Sequence, residues 1–210
     1  MSIFPFRARS SSPAHLERSE LPLFPLRATL FPDGVLSLKV FEQRYCALVK
    51  RCLKEASGFG IVTLTQGSEV GRNQRFAAVG TYAQIESFDT TGPDLFVLSV
   101  RGVQRFALES HETDALGLHT ARIRWIPNEP DAPVGRVHVP LAELLRHLVE
   151  QWGEPHFAPP YRFESASWVS GRLAEVMQMP PSIKQAMLEI NDPTLRLQTL
   201  AALLARSPRV

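Results

Sequence analysis

The amino-acid sequence predicts an α+β fold in which a closed or nearly closed β-barrel is followed by a C-terminal helical bundle. Three observations carry this. Short β-type runs separated by turn residues fill the chain up to Ile126, the pattern of a small barrel. The stretch Pro127-Asn128-Glu129-Pro130-Asp131-Ala132-Pro133 then breaks the composition. Beyond it the apolar period changes from two to 3.6. The expected organisation is a lead-in over 1–20, a barrel subdomain over 21–130 and a helical subdomain over 131–210.

The lead-in from Arg7 to Glu20 is polar and Ser-rich, the composition of a mobile tail. Leu21 to Tyr45 is the most informative stretch. Pro22, Pro25 and Pro32 sit there among large apolar residues. Proline cannot donate to a ladder, so an edge or barrel-entry strand is expected, turning at Phe31-Pro32-Asp33-Gly34. Val35 to Val40 has the β-type residues of a second strand, and Phe41-Glu42-Gln43-Arg44-Tyr45 opens a helix with Glu42 in its first turn. That helix is expected over Phe41–Ala56. Phe59 to Thr65 reads as a buried strand, Gly67 to Gln74 as a loop, and Phe76 to Phe88 as a strand with a bend or bulge at Gly80. Residues 90–94 form a turn by composition. Leu95 to Val100 and Arg101 to Leu108 read as two strands divided by a kink at Gly102, and Leu118 to Ile126 closes the β region.

In the helical part Leu141, Leu144, Leu145, Leu148 and Trp152 follow one helix face, with Pro140 in the first turn. Gly153 to Phe163 is a loop with three prolines. Ser165 can cap a helix reaching Met177, with Trp168, Val169, Leu173, Val176 and Met177 inward. Pro180-Pro181-Ser182 starts a third helix with Ile183, Met187 and Ile190 on one side. Asp192-Pro193 starts a fourth, whose face is Leu197, Leu200, Ala201 and Leu204. One apolar face per helix calls for packing on neighbours.

Composition narrows the chemistry. At 44% hydrophobic, 21% charged and a net charge of +2, the 210 residues suit a globular protein and argue against a dedicated nucleic-acid binder. Cys46 and Cys52 are separated by six helical residues, roughly 9 Å, too far for a disulfide. Cys52 shares an apolar face with Tyr45, Leu48 and Val49 and reads as a small buried hydrophobe. Neither a metal nor a cofactor is expected. The six histidines, His15, His111, His119, His138, His147 and His156, include no HExxH pair. His111, Glu112 and Asp114 fall within one short acidic loop and read as a polar β-turn, and no nucleophile, base and orienting group come together. No run of about 18 apolar residues is present, so no transmembrane helix is expected. The apolar start MSIFPF precedes its arginines, the reverse of a secretory signal. A cytoplasmic protein without membrane association follows as the expectation.

The Leu21–Tyr45 stretch, LPLFPLRATLFPDGVLSLKVFEQRY, closely resembles the opening of the Lon protease N-terminal (substrate-binding) domain, whose pattern runs LPLFPL…LFPG…LPLHIFEPRY. Asp33-Gly34 stands where that family usually has Pro-Gly, and Gln43 replaces a usual proline. Phe59-Gly60-Ile61-Val62, Val79-Gly80-Thr81, Gly102 to Phe106, Ala121 to Trp125, and Lys184-Gln185 with Leu188-Glu189 extend the resemblance to about Leu21–Leu204. The resemblance implies a PUA-like β-barrel followed by a helical bundle, and a part of Lon that binds proteins without doing chemistry. The phosphate-binding signature of the Lon ATPase module is absent from the sequence. A stand-alone, non-enzymatic binding domain is therefore expected, acting on unfolded or hydrophobic polypeptide segments, with a protease or chaperone as a further partner.

Arg44, Tyr45 and Glu42 belong to the most specific motif, and a structural role is expected for each. The candidate peptide-binding residues are the apolar side chains Phe24, Leu26, Phe31, Phe41, Trp125 and Trp152. Two routes are open to a bound segment: addition to an exposed barrel edge, or entry of its side chains into a groove between barrel and helices, walled by the Gly153–Phe163 loop. RNA is the alternative ligand, because PUA-like barrels bind it in other families. That reading requires Arg101, Arg105, Arg122 and Arg124 to form one basic face.

Overall fold

The computed structural model describes residues 16 and 18–206 except 72, 91, 93, 131 and 155, together with the backbone of residues 4 and 5. Most of the polar lead-in, with His15, lies outside the described residues, as does part of the turn at 90–94. The chain divides into two compact units, Met1–Pro127 and Asn128–Val210.

Among the described residues, the first unit is a mixed sheet with one α-helix. Its strands are β1 (Phe4–Pro5), β2 (Glu20–Leu26), β3 (Val35–Val40), β4 (Phe59–Gln66), β5 (Arg75–Thr90), β6 (Phe96–Thr113) and β7 (His119–Trp125), with α1 (Gln43–Glu55) between β3 and β4. They are ordered β1-β5-β4-β2-β7-β6-β3, and β5 also pairs with β6. Among the described residues, only the β2–β4 pairing is parallel.

Three expectations are corrected here. The proline-bearing strand β2 is interior, not an edge. Its tolerance of proline comes from divided pairing. Glu20–Pro22 pair with β7 and Leu23–Leu26 pair with β4, so Pro25 has a ladder on one side only. The two strands expected on either side of Gly102 are one continuous strand, β6. One of its irregularities lies beside Gly102, where Tyr82↔Gln104 gives way to Ala83↔Gly102. Glu42 is the N-cap residue of α1 and does not stand in its first turn.

The turn after β2 forms as the Pro-Asp-Gly sequence suggests. The Gly34 amide donates to the Phe31 carbonyl at 3.0 Å, and Asp33 adopts φ +63°, a conformation Asp tolerates. Asp33 donates to the Gly102 carbonyl at 2.8 Å, and Gly102 donates to that of Gly34 at 2.9 Å. A Cβ at Gly102 would lie 2.2 Å from the Phe31 carbonyl oxygen, so only glycine permits this approach.

Among the described residues of the unit, two apolar cores stand out. Phe24, Leu26, Leu38 and Val40 meet Tyr45, Leu48, Val49 and Cys52 of α1 in one, and Leu21, Leu23, Tyr82, Phe106 and Ile123 form the other. Both cysteines are free and buried. Burial pushes both thiols above their ordinary pKa, which suppresses thiolate chemistry.

The second unit holds α2 (Val139–Trp152), α3 (Ala166–Val176), α4 (Pro181–Glu189) and α5 (Pro193–Arg206). Ser165 caps α3 through the Trp168 amide at 3.4 Å, and Asp192 caps α5 through that of Thr194 at 2.8 Å. The inward face of α2 is Leu141, Ala142, Leu145 and Val149; Leu144 and Trp152, expected inward, are exposed. Ile183 of α4 is likewise exposed, with Gln185, Met187 and Leu188 buried in its place. In both helices the stripe is rotated from the one the large apolar residues mark.

Candidate functional site

An apolar groove of the first unit is built around the junction of β3 and α1. It has a volume of about 360 Å³ and is lined by the end of β2, all of β3 from Leu36, the start of α1, and Glu69 and Val70 of the β4–β5 loop. Phe24 and Leu26 are buried in its floor beside Leu38 and Val40. Phe41 and Val70 stand on its rim, 58% and 55% exposed. Phe41 is exposed because the chain turns there. Leu38 and Val40 face the core, and the residues after Phe41 commit to the helix, with Tyr45 and Cys46 donating to the Glu42 carbonyl at 3.0 and 2.9 Å.

The rim is held by polar side chains. The Arg44 guanidinium is buried and donates to the Gly117 carbonyl at 2.6 Å and the Gly71 carbonyl at 2.7 Å. It also pairs with Glu42 at 3.1 Å and lies 4.5 Å above the Tyr45 ring. Tyr45 stacks on Phe24 with centroids 4.1 Å apart. Burial pushes its phenol up to about 12, against the lowering effect of Arg44, so it stays protonated at neutral pH. Gln74 Nε2 donates to the carbonyls of Ser68 and Glu69 at 2.8 and 2.9 Å, and the Arg27 amide donates to Glu69 Oε1 at 2.7 Å. The loop that looks like simple linker sequence is thus fixed in shape and presents Val70 outward.

The six candidate residues divide. Phe24, Leu26 and Phe41 converge on this groove. Phe31 is 1% exposed and offers no surface, because it sits under the turn clamped to Gly102. Trp125 packs edge-on against Tyr82 and Phe106 and donates its indole N–H to the Arg18 carbonyl at 3.0 Å. Trp152 is exposed in the second unit, where it stacks with Phe157. Leu36, Glu69 and Val70 were missed by sequence reasoning. The single available signal was an isolated valine inside a polar loop.

The other candidates are quieter. Asp114 Oδ1 accepts from the amides of Leu116 and Leu118 at 2.9 Å, which is turn chemistry. His111 packs with Phe76 and His119. Among the described residues no group of His, Cys, Asp or Glu is placed to hold a metal ion, and no helix is long and apolar enough to cross a membrane. Arg122 and Arg124 are exposed along β7, but Arg105 is buried and Arg101 pairs with Glu86. The four do not form one exposed basic face.

Comparison with known proteins places this geometry. The family model described as the ATP-dependent protease La (LON) substrate-binding domain matches residues 20–206. The chain belongs to that family. It is 28% identical over 198 residues to Lon protease 2 of Myxococcus xanthus and 29% identical over 199 residues to Lon protease of Anaeromyxobacter dehalogenans. These matches span 90% of this chain but 24% and 23% of those proteins, so the chain corresponds to about a quarter of their length. The solved Lon N-terminal domain protein from Xanthomonas campestris superposes with a TM-score of 0.73 at 31% identity, covering 91% of this chain and 100% of that one. The N-terminal domain of a Mycobacterium avium complex Lon protease gives 0.63 at 14% identity, a likeness of fold alone, over 89% of this chain and 98% of that one.

Proposed function

We propose that this chain is a non-enzymatic binding module that captures unfolded or hydrophobic polypeptide segments in the groove rimmed by Phe41 and Val70. The observation that carries the reading is an apolar groove with two exposed apolar rim residues, Phe41 and Val70, in a chain of the Lon substrate-binding family. Exposed apolar rims over an apolar floor suit side chains that folded proteins keep inside. Contacts that fit many sequences give weak individual affinities. A protease or chaperone receiving the cargo, and a cytoplasmic setting without membrane or nucleic-acid partners, complete the proposal. The circuit of pairings from β5 through β4, β2, β7 and β6 back to β5 supports a closed, PUA-like barrel over 21–130, with the helices over 131–210 as a bundle.

The test is a titration of a fluorescent, permanently unfolded polypeptide (a reduced and alkylated globular protein) against the native chain and Phe41→Asp. Native binding that weakens about tenfold or more in the variant supports the reading. Equal binding by both chains removes the groove from the account. Binding that instead follows single-stranded RNA and falls steeply with salt would favour the nucleic-acid alternative.

A further inference from the structure

We propose that the outer edge of β3 takes up an extended polypeptide as an added strand, whose alternate side chains enter the groove floor. The proposal rests on the polypeptide-binding reading and specifies how the segment is held. β3 ends the strand order and pairs with β6 alone, from Val35↔Arg101 to Val40↔Phe96.

The register fixes which backbone groups are free. Gly102 donates to the Gly34 carbonyl, and Gly34 and Gly102 stand in the same register as the pairs that follow. In an antiparallel ladder hydrogen-bonded pairs alternate with non-bonded ones. The bonded pairs are therefore those of Leu36, Leu38 and Val40. The N–H and C=O groups of Val35, Ser37 and Lys39 point away from β6, and among the described residues nothing pairs with them. The groove is lined by the consecutive residues Leu36 to Val40 and so runs along this edge.

These features select the occupant. A row of unpaired amides and carbonyls beside an apolar floor complements another polypeptide backbone. Lys39 is the one cationic side chain among the lining residues, beside Glu69 and a Glu42 that Arg44 already pairs, so the groove offers no basic patch to a polyanion such as RNA or an acidic membrane. Side chains opposite Leu36, Leu38 and Val40 would fall on the core face over Phe24 and Leu26, while those opposite Ser37 and Lys39 would stand outside. The segment is thus one that alternates apolar with polar residues and carries an acidic group near Lys39. A lysine on a short edge strand commonly discourages pairing with other edges; here it selects for the acidic partner.

The test uses the full chain and a nine-residue capped peptide alternating valine with threonine and glutamate, in three forms: unmodified, N-methylated at the valine amides, and N-methylated at the others. Strand addition predicts that one methylated series binds at least tenfold more weakly while the other retains the unmodified affinity. The sensitive series reports whether the added strand runs parallel or antiparallel. Ser37→Pro removes an outward N–H and leaves the β6 ladder intact, so it should lose the peptide without losing the fold by circular dichroism. If all three forms bind alike and Phe41→Asp abolishes them alike, strand addition is overturned while the groove reading stands. If the peptide and the unfolded polypeptide both fail to bind the native chain, both readings fall. Dimerisation of the chain that Ser37→Pro abolishes and the peptide cannot displace would overturn the proposal in favour of a second copy on this edge.

Discussion

Arg44 joins three segments that are remote in sequence. Its planar fork reaches carbonyls in the β4–β5 and β6–β7 loops, and its stem leaves the first turn of α1. Charge-assisted hydrogen bonds are worth about 1.5–3 kcal/mol each. Arg44→Ala should therefore destabilise the chain by about 3 kcal/mol, read as a lower denaturant midpoint. Arg44→Lys should recover only part of this, because one ammonium cannot span both carbonyls. His119 offers a second test at this scale. Its ring contacts Gln74 at 3.2 Å and Thr113 at 2.8 Å, and burial holds it below its ordinary 6.5, with His111 and Arg44 acting in the same direction and Asp114 opposing. A depressed folded-state pKa makes the unfolded chain the better proton binder. Stability should thus fall as pH drops below about 6.5. His119→Gln should flatten that slope between pH 7 and 5 in denaturation measured across the range, and an unchanged slope would refute the assignment. The structural role of Arg44 was legible from its place in the FEQRY motif. Its partners were not, since Gly71 and Gly117 lie 27 and 73 residues away.

At the scale of elements, the sequence reading located strands and helices well and their neighbours less well. β3, α1, β4 and β7 appear where alternation and turn residues put them. Of the two expectations for β2, an edge or a barrel-entry strand, the edge one failed because proline excludes a donor only where a ladder needs one, and β2 divides its partners along its length. β6 was split in two because glycine reads as punctuation, whereas Gly102 serves a close approach inside a continuous strand. That approach is testable. Gly102→Ala should cost about 1–3 kcal/mol by overpacking against the Phe31 carbonyl, seen as a lower melting temperature. Because the 31–34 turn sets the register of β3, the same variant should also weaken binding to the groove. An Ala variant as stable as the native chain would show that the contact is slack.

At the scale of the whole molecule, each unit carries its own polar anchor. In the second unit Arg196 is 1% exposed and donates to the carbonyls of Met187 and Ile190 at 2.9 and 2.6 Å, to Ser170 Oγ at 3.0 Å, and to Glu129. Removing one member of a buried pair costs about 3–5 kcal/mol. Arg196→Met should unfold the second unit at lower denaturant, and its effect on groove binding separates the units functionally. A lone Arg on an apolar helix face gave no hint that its partner was a glutamate in the Pro-rich stretch. The candidate site was half legible for the same reason. Phe24, Leu26 and Phe41 come from one motif, but the Val70 rim depends on hydrogen bonds from Arg27 and Arg44, both remote from it in sequence.

The most direct test of the central claim is a map of backbone amide chemical shifts in the isotopically labelled chain as an unfolded polypeptide is added. Polypeptide capture in the groove should concentrate the shifts at Leu36 to Glu42 and at Glu69 and Val70, and Phe41→Asp should abolish them. Shifts confined to the second unit, or to the exposed arginines of β7, would contradict it.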